Sequence, residues 1–468
     1  MEDYKQNIAI LHSKDCLVTY SELAKSSDAL VVDLIQGELV FFLGKNDITS
    51  ILTYVGVMRR KLCIVMINVN IEKQQLKVLL DSYKPKYIFG PSEYLQMFQT
   101  ARILWTKESY SLIDFSSETK FALFPELKML LPTSGSTGNP QFVRLSTRNL
   151  EANSQSIIDY LELDGSARAI TTLPINYSYG ISIINSHFLA GGSIYLSENS
   201  VVSRAFWNDV AESEATHFAG VPFTYESLRS FKKDLIKSPN LRVFTQAGGR
   251  LAPEIVREFA MECSKEGKLF YVMYGQTEAT ARIAYLPPKF ASRFPDSIGI
   301  PIPNGSIELW DENDQIIAKS HVPGELVYKG ENVSLGYSQS LEDLRLGDQN
   351  MGLLKTGDIA IRDDNGYLFV KGRKNRFAKI FGVRINLMDL ESRFNMMGYE
   401  IVALDINGTL CVASLKHEVD TLALRDLISV YLSIHKSGIK VRFFSKVPRS
   451  ESGKIKYADL EGMWMSNE

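Results

Sequence analysis

Cysteine is scarce in this chain: four in 468 residues, Cys16, Cys63, Cys263 and Cys411, far apart, with no CxxC pair and no histidine pair close by. That spacing supports neither a disulfide framework nor a zinc site, and the thiols read as buried and reduced. No uninterrupted apolar stretch reaches the roughly 18 residues of a membrane span. The opening MEDYKQNIAILHSKD is polar and acidic where a signal peptide would carry a basic cap and an apolar core. Charge of either sign is not in excess, with Lys+Arg 52 against Asp+Glu 54 and a net charge of −2, so no global field draws in nucleic acid or an anionic membrane. These absences lead us to expect a soluble, cytoplasmic protein with no membrane span and no nucleic-acid partner. An anionic substrate would have to be held by local features.

Repeats, low-complexity tracts and long charge blocks are missing as well, so domain organisation must be read from alternating pattern. A hydrophobic share of 45% with 23% charged residues is ample for a large core. The length fits one large α/β body plus a smaller domain. Thr19 and Glu22 form a candidate capping box ahead of the helical stretch TYSELAKSSDALVVDLI, which is followed by the apolar strand LVFFLG. The helical ITSILTYVGVMRR then leads to a second buried strand, KLCIVMINV. Such alternation predicts sheets covered by helices, with ligands at the carboxyl ends of the strands. From about Ser297 the texture changes to short, Gly-punctuated β segments, and after Gly372-Arg373-Lys374-Asn375-Arg376 it returns to mixed helix and strand. The expected fold is therefore a large N-terminal body over 1–374, with a β-rich subdomain from about 297, and a small α+β C-terminal domain over 375–468.

Chemistry concentrates after the apolar run LKMLL. The segment Thr133-Ser134-Gly135-Ser136-Thr137-Gly138 has glycines that let backbone N–H groups converge on an anion, and hydroxyls that donate to phosphate oxygens. The same composition would also make an ordinary Ser/Gly turn. It is not a Walker A loop, because Gly138 is followed by Asn139 and Pro140.

This segment resembles the signature of the adenylate-forming superfamily of acyl-CoA synthetases, stand-alone adenylation domains and luciferases. Five further stretches match that family's motifs in order: Tyr274-Gly275-Gln276-Thr277-Glu278, Gly324-Glu-Leu with Gly336-Tyr337, Lys355-Thr-Gly-Asp358, Gly372-Arg373, and Pro448-Arg-Ser-Glu-Ser-Gly-Lys454. The resemblance implies that Glu278 holds Mg²⁺, Thr277 contacts the α-phosphate and Tyr274 lies against the adenine. It implies that Asp358 and Arg373 bind the ribose, that Lys454 bridges acid and ribose, and that the C-terminal domain is a mobile lid swinging about Asn375. Gly248 and Gly275 would line the nucleotide. The implied reactants are ATP with Mg²⁺, a small carboxylic acid, and CoA or a phosphopantetheinyl carrier protein as acyl acceptor.

Two positions depart from the family pattern. Gln141 stands where a lysine is usual, which loses a point charge from the phosphate grip, and Arg144 is the nearest cation that could replace it. Asn375 stands where the hinge usually has Asp or Lys. For the acid, Tyr179, Gly180, Ile184, Ala247 and Gly249 are the candidate pocket residues. Gly180 occupies the place of the aspartate that pairs with an α-ammonium in amino-acid-activating members, so an α-amino acid is disfavoured. Gly180 would also leave room for substrate, and Ile181 and Ile184 would form an apolar wall. His187 reads as a core histidine. Three functions remain open at this level: an acid–CoA ligase forming acyl-AMP, a stand-alone adenylation enzyme loading a separate carrier, and a non-catalytic nucleotide-binding protein.

Overall fold

The computed structural model describes residues 4–13, 16–98, 100–115, 122–133, 141–374, 376–381, 383–449 and 455–466. The chain forms two compact units. The first comprises Met1–Thr133, Asn139–Ser306 and Lys329–Leu354.

Among the described residues, this unit is built on an eight-stranded and a nine-stranded sheet. The capping box is present: the Thr19 hydroxyl accepts the Glu22 N–H, and the Glu22 carboxylate accepts the Thr19 N–H at 2.9 Å, opening the helix Tyr20–Leu30. Strand Leu39–Phe42 is buried at every position, as an apolar run without alternation requires when helices cover both faces. It pairs in parallel with Cys63–Met66, which in turn pairs in parallel with Leu127–Pro132. Between the first two runs the helix Ile48–Arg59, capped by Asp47, buries nine consecutive residues. Its carboxyl end is closed by Lys128, whose ammonium donates to the carbonyls of Val57 (3.1 Å), Arg60 (2.5 Å) and Leu62 (3.1 Å). Burial lowers this lysine to a pKa of about 8.

In the larger sheet, His217–Gly220, Val243–Gln246 and Leu269–Tyr274 are parallel neighbours, with Gly220 opposite Gln246 and Gln246 opposite Val272. Their carboxyl ends therefore deliver three loops to one edge, and two of the expected motifs, 247–249 and 274–278, are on those loops.

The second unit contains Ile307–Tyr328 and Lys355–Glu468. A four-stranded sheet runs in the order Ser306–Trp310, Gly324–Lys329, Leu353–Arg362, Leu368–Arg373. Further along come the hairpin Phe377–Ile380 with Val383–Asn386, the helix Leu387–Met396, and a three-stranded sheet of Ile401–Ile406, Thr409–Ser414 and Ile439–Phe443. The last two strands are parallel, joined through the helix Thr421–Leu432 that Asp420 caps. Arg376 fastens this part internally: it pairs with Glu391 at 2.6 Å, donates to the Ala403 carbonyl at 2.9 Å, and lies 3.9 Å over the Tyr457 ring. Among the described residues no helix is long and apolar enough to cross a membrane.

Candidate active site

The loop that follows Leu269–Tyr274 is held from outside itself. Thr277–Ala279 forms one short 3-10 turn, and Thr280 ends it at φ 63°, a left-handed conformation that a β-branched residue rarely adopts. Asn332 holds it there: its amide donates to the carbonyls of Ala279 (2.9 Å) and Arg282 (2.8 Å), while its own carbonyl accepts the Thr280 hydroxyl at 2.6 Å. Ser334 N–H donates to the Glu278 carbonyl at 2.9 Å. The Glu278 side chain is then aimed by Tyr337, whose hydroxyl donates to Oε1 at 2.8 Å. The other carboxylate oxygen makes no hydrogen bond among the described residues, which leaves a hard oxygen ligand free. Beside it, the Thr277 hydroxyl donates to Ser178 at 3.3 Å.

Glu278 and Thr277 fit a Mg²⁺-phosphate role on this geometry. Among the described residues, no group of three or more His, Cys, Asp or Glu gathers around them. A single carboxylate holding Mg²⁺ together with phosphate oxygens and water is the usual arrangement for that ion. Sequence reasoning missed Asn332 and the aiming role of Tyr337. An asparagine set between Glu331 and the apolar Val333 was the available signal.

The neighbouring strand end carries Ala247, Gly248 and Gly249. Gln246, buried, donates from its amide to the Gly249 carbonyl at 2.9 Å and fixes the turn. Gly248 has φ +86°, and a Cβ there would collide with the Tyr177 hydroxyl, so both conformation and space demand glycine. Tyr179 is buried, its hydroxyl bonded to the Thr245 carbonyl at 3.0 Å, and burial pushes its phenol pKa up. Two expectations about the helix Ser178–Leu189 change. A Cβ on Gly180 would stand 3.0 Å from the Leu173 carbonyl oxygen and closer still to that of Pro174, so this glycine lets the helix touch backbone and does not widen a pocket. Ile181 and Ile184 join the hydrophobic core with Phe42 and Tyr54. It is Ser182, Ile183, Ser186 and His187 that line a cavity of about 20 Å³, together with His217, Thr245 and Arg282.

His187 is buried as expected, its Nδ1 bonded to the Ile183 carbonyl at 2.9 Å, and desolvation lowers its pKa to about 4. Its ring stands edge-on to His217 at 5.2 Å, and the Nε2 atoms of both have no hydrogen-bond partner.

On the other sheet, Leu127–Pro132 and Phe142–Ser146 form an antiparallel pair. Thr133 closes its neck, donating N–H and hydroxyl to the Gln141 carbonyl at 3.0 and 3.1 Å, so its hydroxyl proton is already engaged. Ser134, Gly135, Ser136, Thr137 and Gly138 lie outside the described residues. Arg144 does not replace the missing lysine. It is fully buried and its guanidinium donates to the carbonyls of Tyr337 (3.0 Å), Leu335 (2.7 Å), Gly347 (3.3 Å) and Leu346 and to Gln349 Oε1 (2.8 Å). Strand alternation explains this: Arg144 is opposite Gly336, whose lack of a side chain admits the guanidinium.

In the second unit Asp358 and Arg373 are cross-strand partners, and Nε donates to the buried Asp358 carboxylate at 3.1 Å. The Asp358 N–H donates to the Thr356 hydroxyl at 3.1 Å. Lys454 lies outside the described residues, between Arg449 and Ile455, which pair as an antiparallel bridge. Asn375 is also outside them. Its neighbours are anchored in different places: Lys374 to Glu325 at 2.9 Å, and Arg376 to Glu391.

The profile of the AMP-binding enzyme family matches residues 1–338. A 2-succinylbenzoate–CoA ligase of a Geobacillus species is 23% identical over 92% of this chain and 89% of its own length. A D-alanine–D-alanyl carrier protein ligase of Staphylococcus haemolyticus is 23% identical over 83% of this chain and 79% of its own. The Bacillus subtilis O-succinylbenzoate CoA synthetase, solved with ATP and magnesium, superposes with a TM-score of 0.75 at 20% identity, covering 97% of each chain. With strand ends, clamped carboxylate and profile in agreement, this chain belongs to the AMP-binding enzyme family.

Proposed function

We propose that the protein activates a small carboxylic acid with ATP and passes the acyl group to a pantetheine thiol. In the first step the acid's carboxylate oxygen attacks the α-phosphorus, forming acyl-AMP as pyrophosphate leaves. In the second, a thiolate attacks the acyl carbon and AMP leaves. The observation that carries this reading is the Glu278 carboxylate, fixed by Tyr337 and by the Asn332 clamp beside the Thr277 hydroxyl. A preorganised anion of this kind suits the Mg²⁺ that neutralises departing pyrophosphate. Thr277 donates to the α-phosphoryl oxygens, Tyr274 packs on the adenine, and the backbone at Gly248 and Gly275 lines the nucleotide. The ribose falls to Asp358, which Arg373 already orients, and the role of bridging cation to Lys454. The C-terminal residues after Asn375 act as the moving lid.

CoA is the acceptor favoured by the relatives named CoA ligases. A separate carrier protein is the second reading, favoured by the relative named for a carrier. The test is carboxylate-dependent pyrophosphate release with Mg-ATP over a panel of fatty, aryl, hydroxy, dicarboxylic and amino acids, with Lys454→Ala as control. Free CoA against holo-carrier protein as acceptor then separates the two readings. Silence across the panel while ATP still binds would overturn the first.

A further inference from the structure

Among the described residues only two arginines are buried, and they are satisfied very differently. Arg144, 0% exposed, saturates its guanidinium with carbonyl and amide oxygens. Arg282, 2% exposed, has no carboxylate partner among the described residues. Its guanidinium lies 4.2 Å from the centroid of the Tyr179 ring and hydrogen-bonds the Tyr160 hydroxyl, which itself donates to Met273 sulfur at 2.9 Å. Its Nε is buried without a partner. A desolvated cation left this way costs several kcal/mol unless an anion meets it.

Arg282 lines the 20 Å³ cavity along with His187 and His217, and that volume holds about one water-sized group, such as a single oxygen of an oxyanion. His217 Nδ1 lies 2.7 Å from the Thr216 hydroxyl and its Nε2 is buried without a partner, a second donor on the same cavity in the tautomer that carries its proton at Nε2. His187, its proton held at Nδ1 by the Ile183 carbonyl, offers only a lone pair there and does not bind an anion. Two of its lining residues also lie close in sequence to the strand ends. Thr245 and Met273 line it, two residues before Ala247 and one before Tyr274. Two residues of extended strand span about 7 Å, which is the reach of glutarate or adipate.

We propose that this cavity is the far end of the acid pocket and that Arg282 meets there an oxygen of a second oxyanion, carboxylate or sulfonate, making the enzyme selective for acids that carry a distal negative charge. This rests on the acid-activating reading given above. Arg282 is a specificity residue in it, not a participant in the chemistry.

The experiment compares glutarate, adipate and 4-sulfobutyrate with valerate and hexanoate, in wild type, Arg282→Gln and Arg282→Lys. Two readouts are taken: the KM for pyrophosphate release, and the shift in melting temperature that each acid produces without ATP. The expected result is a KM at least tenfold lower for at least one dianion than for its monoacid, with Arg282→Gln raising the dianion KM between about tenfold and a hundredfold, the loss of one charged hydrogen-bonding group. Arg282→Lys, which keeps the charge, retains part of the preference and serves if the Gln variant fails to fold. A wild type that does not distinguish any dianion from its monoacid, or variants that keep the full ratio, overturns the proposal. Dianion protection against melting that disappears in Arg282→Gln, without pyrophosphate release from any acid, upholds the anion site and sinks the adenylation reading instead.

Discussion

Replacing Arg144 separates two physical roles for one residue. If its charge served the triphosphate in place of the lysine missing at 141, Arg144→Lys would be mild and Arg144→Met would raise the KM for ATP. The geometry dictates another outcome. The guanidinium fork donates to four carbonyl oxygens and to Gln349, tying Phe142–Ser146 to the segment from Leu335 to Gln349. Burial depresses its pKa, with Asp343 and Asp348 acting the other way, so the cation is retained only because those acceptors surround it. Truncation to Met leaves dry carbonyls unmatched at about 1–3 kcal/mol each, for a total of about 2–6 kcal/mol if two of the four find no other donor. Lysine brings one ammonium with three donors where five are arranged in a plane, so it recovers only part. Urea unfolding followed by tryptophan fluorescence should show both variants losing stability, Met by a midpoint shift on the order of 1 M or more. ATP KM, measured on the folded fraction below the transition, should change less than stability does. An Arg144→Met protein within about 1 kcal/mol of wild type but with a tenfold higher ATP KM would refute the structural role.

Three further outcomes follow from other contacts. Gly180→Ala should lower the melting temperature, because its Cβ meets the Pro174 backbone and overpacking of this kind costs about 1–3 kcal/mol; an unchanged melting temperature would mean that the helix can shift freely. Tyr337→Phe releases Glu278 Oε1 and should raise the Mg²⁺ concentration needed for half-maximal pyrophosphate release, with turnover about tenfold lower, as loss of a group that orients a metal ligand does; an unaltered Mg²⁺ requirement would remove Glu278 from the metal. The folded-state pKa of His187, about 4, lies below its unfolded value, so the unfolded chain takes up the proton first as pH falls. Stability is therefore complete above about pH 6.5 and declines from there towards pH 4, by about 2 kcal/mol at pH 5. His187→Gln should flatten that decline in chemical denaturation curves.

What the sequence disclosed and what it concealed divide along a physical line. The Thr19–Glu22 cap, the runs at 39–42 and 63–66, and the β segments after 297 are local: period, cap chemistry and glycine punctuation specify them without knowledge of the partner surface. The same holds for the loops at strand ends, which follow from parallel topology. The candidate site was legible only where a motif is contiguous, as in 274–278. Asn332 and Tyr337 contribute to the same loop from more than 50 residues away, through hydrogen bonds that depend on which strands pair. Gly180 was readable as a missing aspartate, but its reason for being glycine belongs to Pro174, across a helix–loop contact.

The two buried arginines make the same point about charge. Arg144 and Arg282 each interrupt an apolar run, VRL and ARIAYL, and nothing in either local pattern tells them apart. Their difference lies in the acceptors that the fold supplies. Arg144 is opposite a glycine, on a strand whose neighbour turns carbonyls towards it, so the protein itself completes the ion's surroundings. Arg282 follows the Glu278 turn with its backbone carbonyl clamped by Asn332, while its side chain meets the Tyr179 ring, the Tyr160 hydroxyl and a cavity. Since a cation must be compensated wherever it is desolvated, the first arginine explains architecture and the second identifies what the ligand must bring.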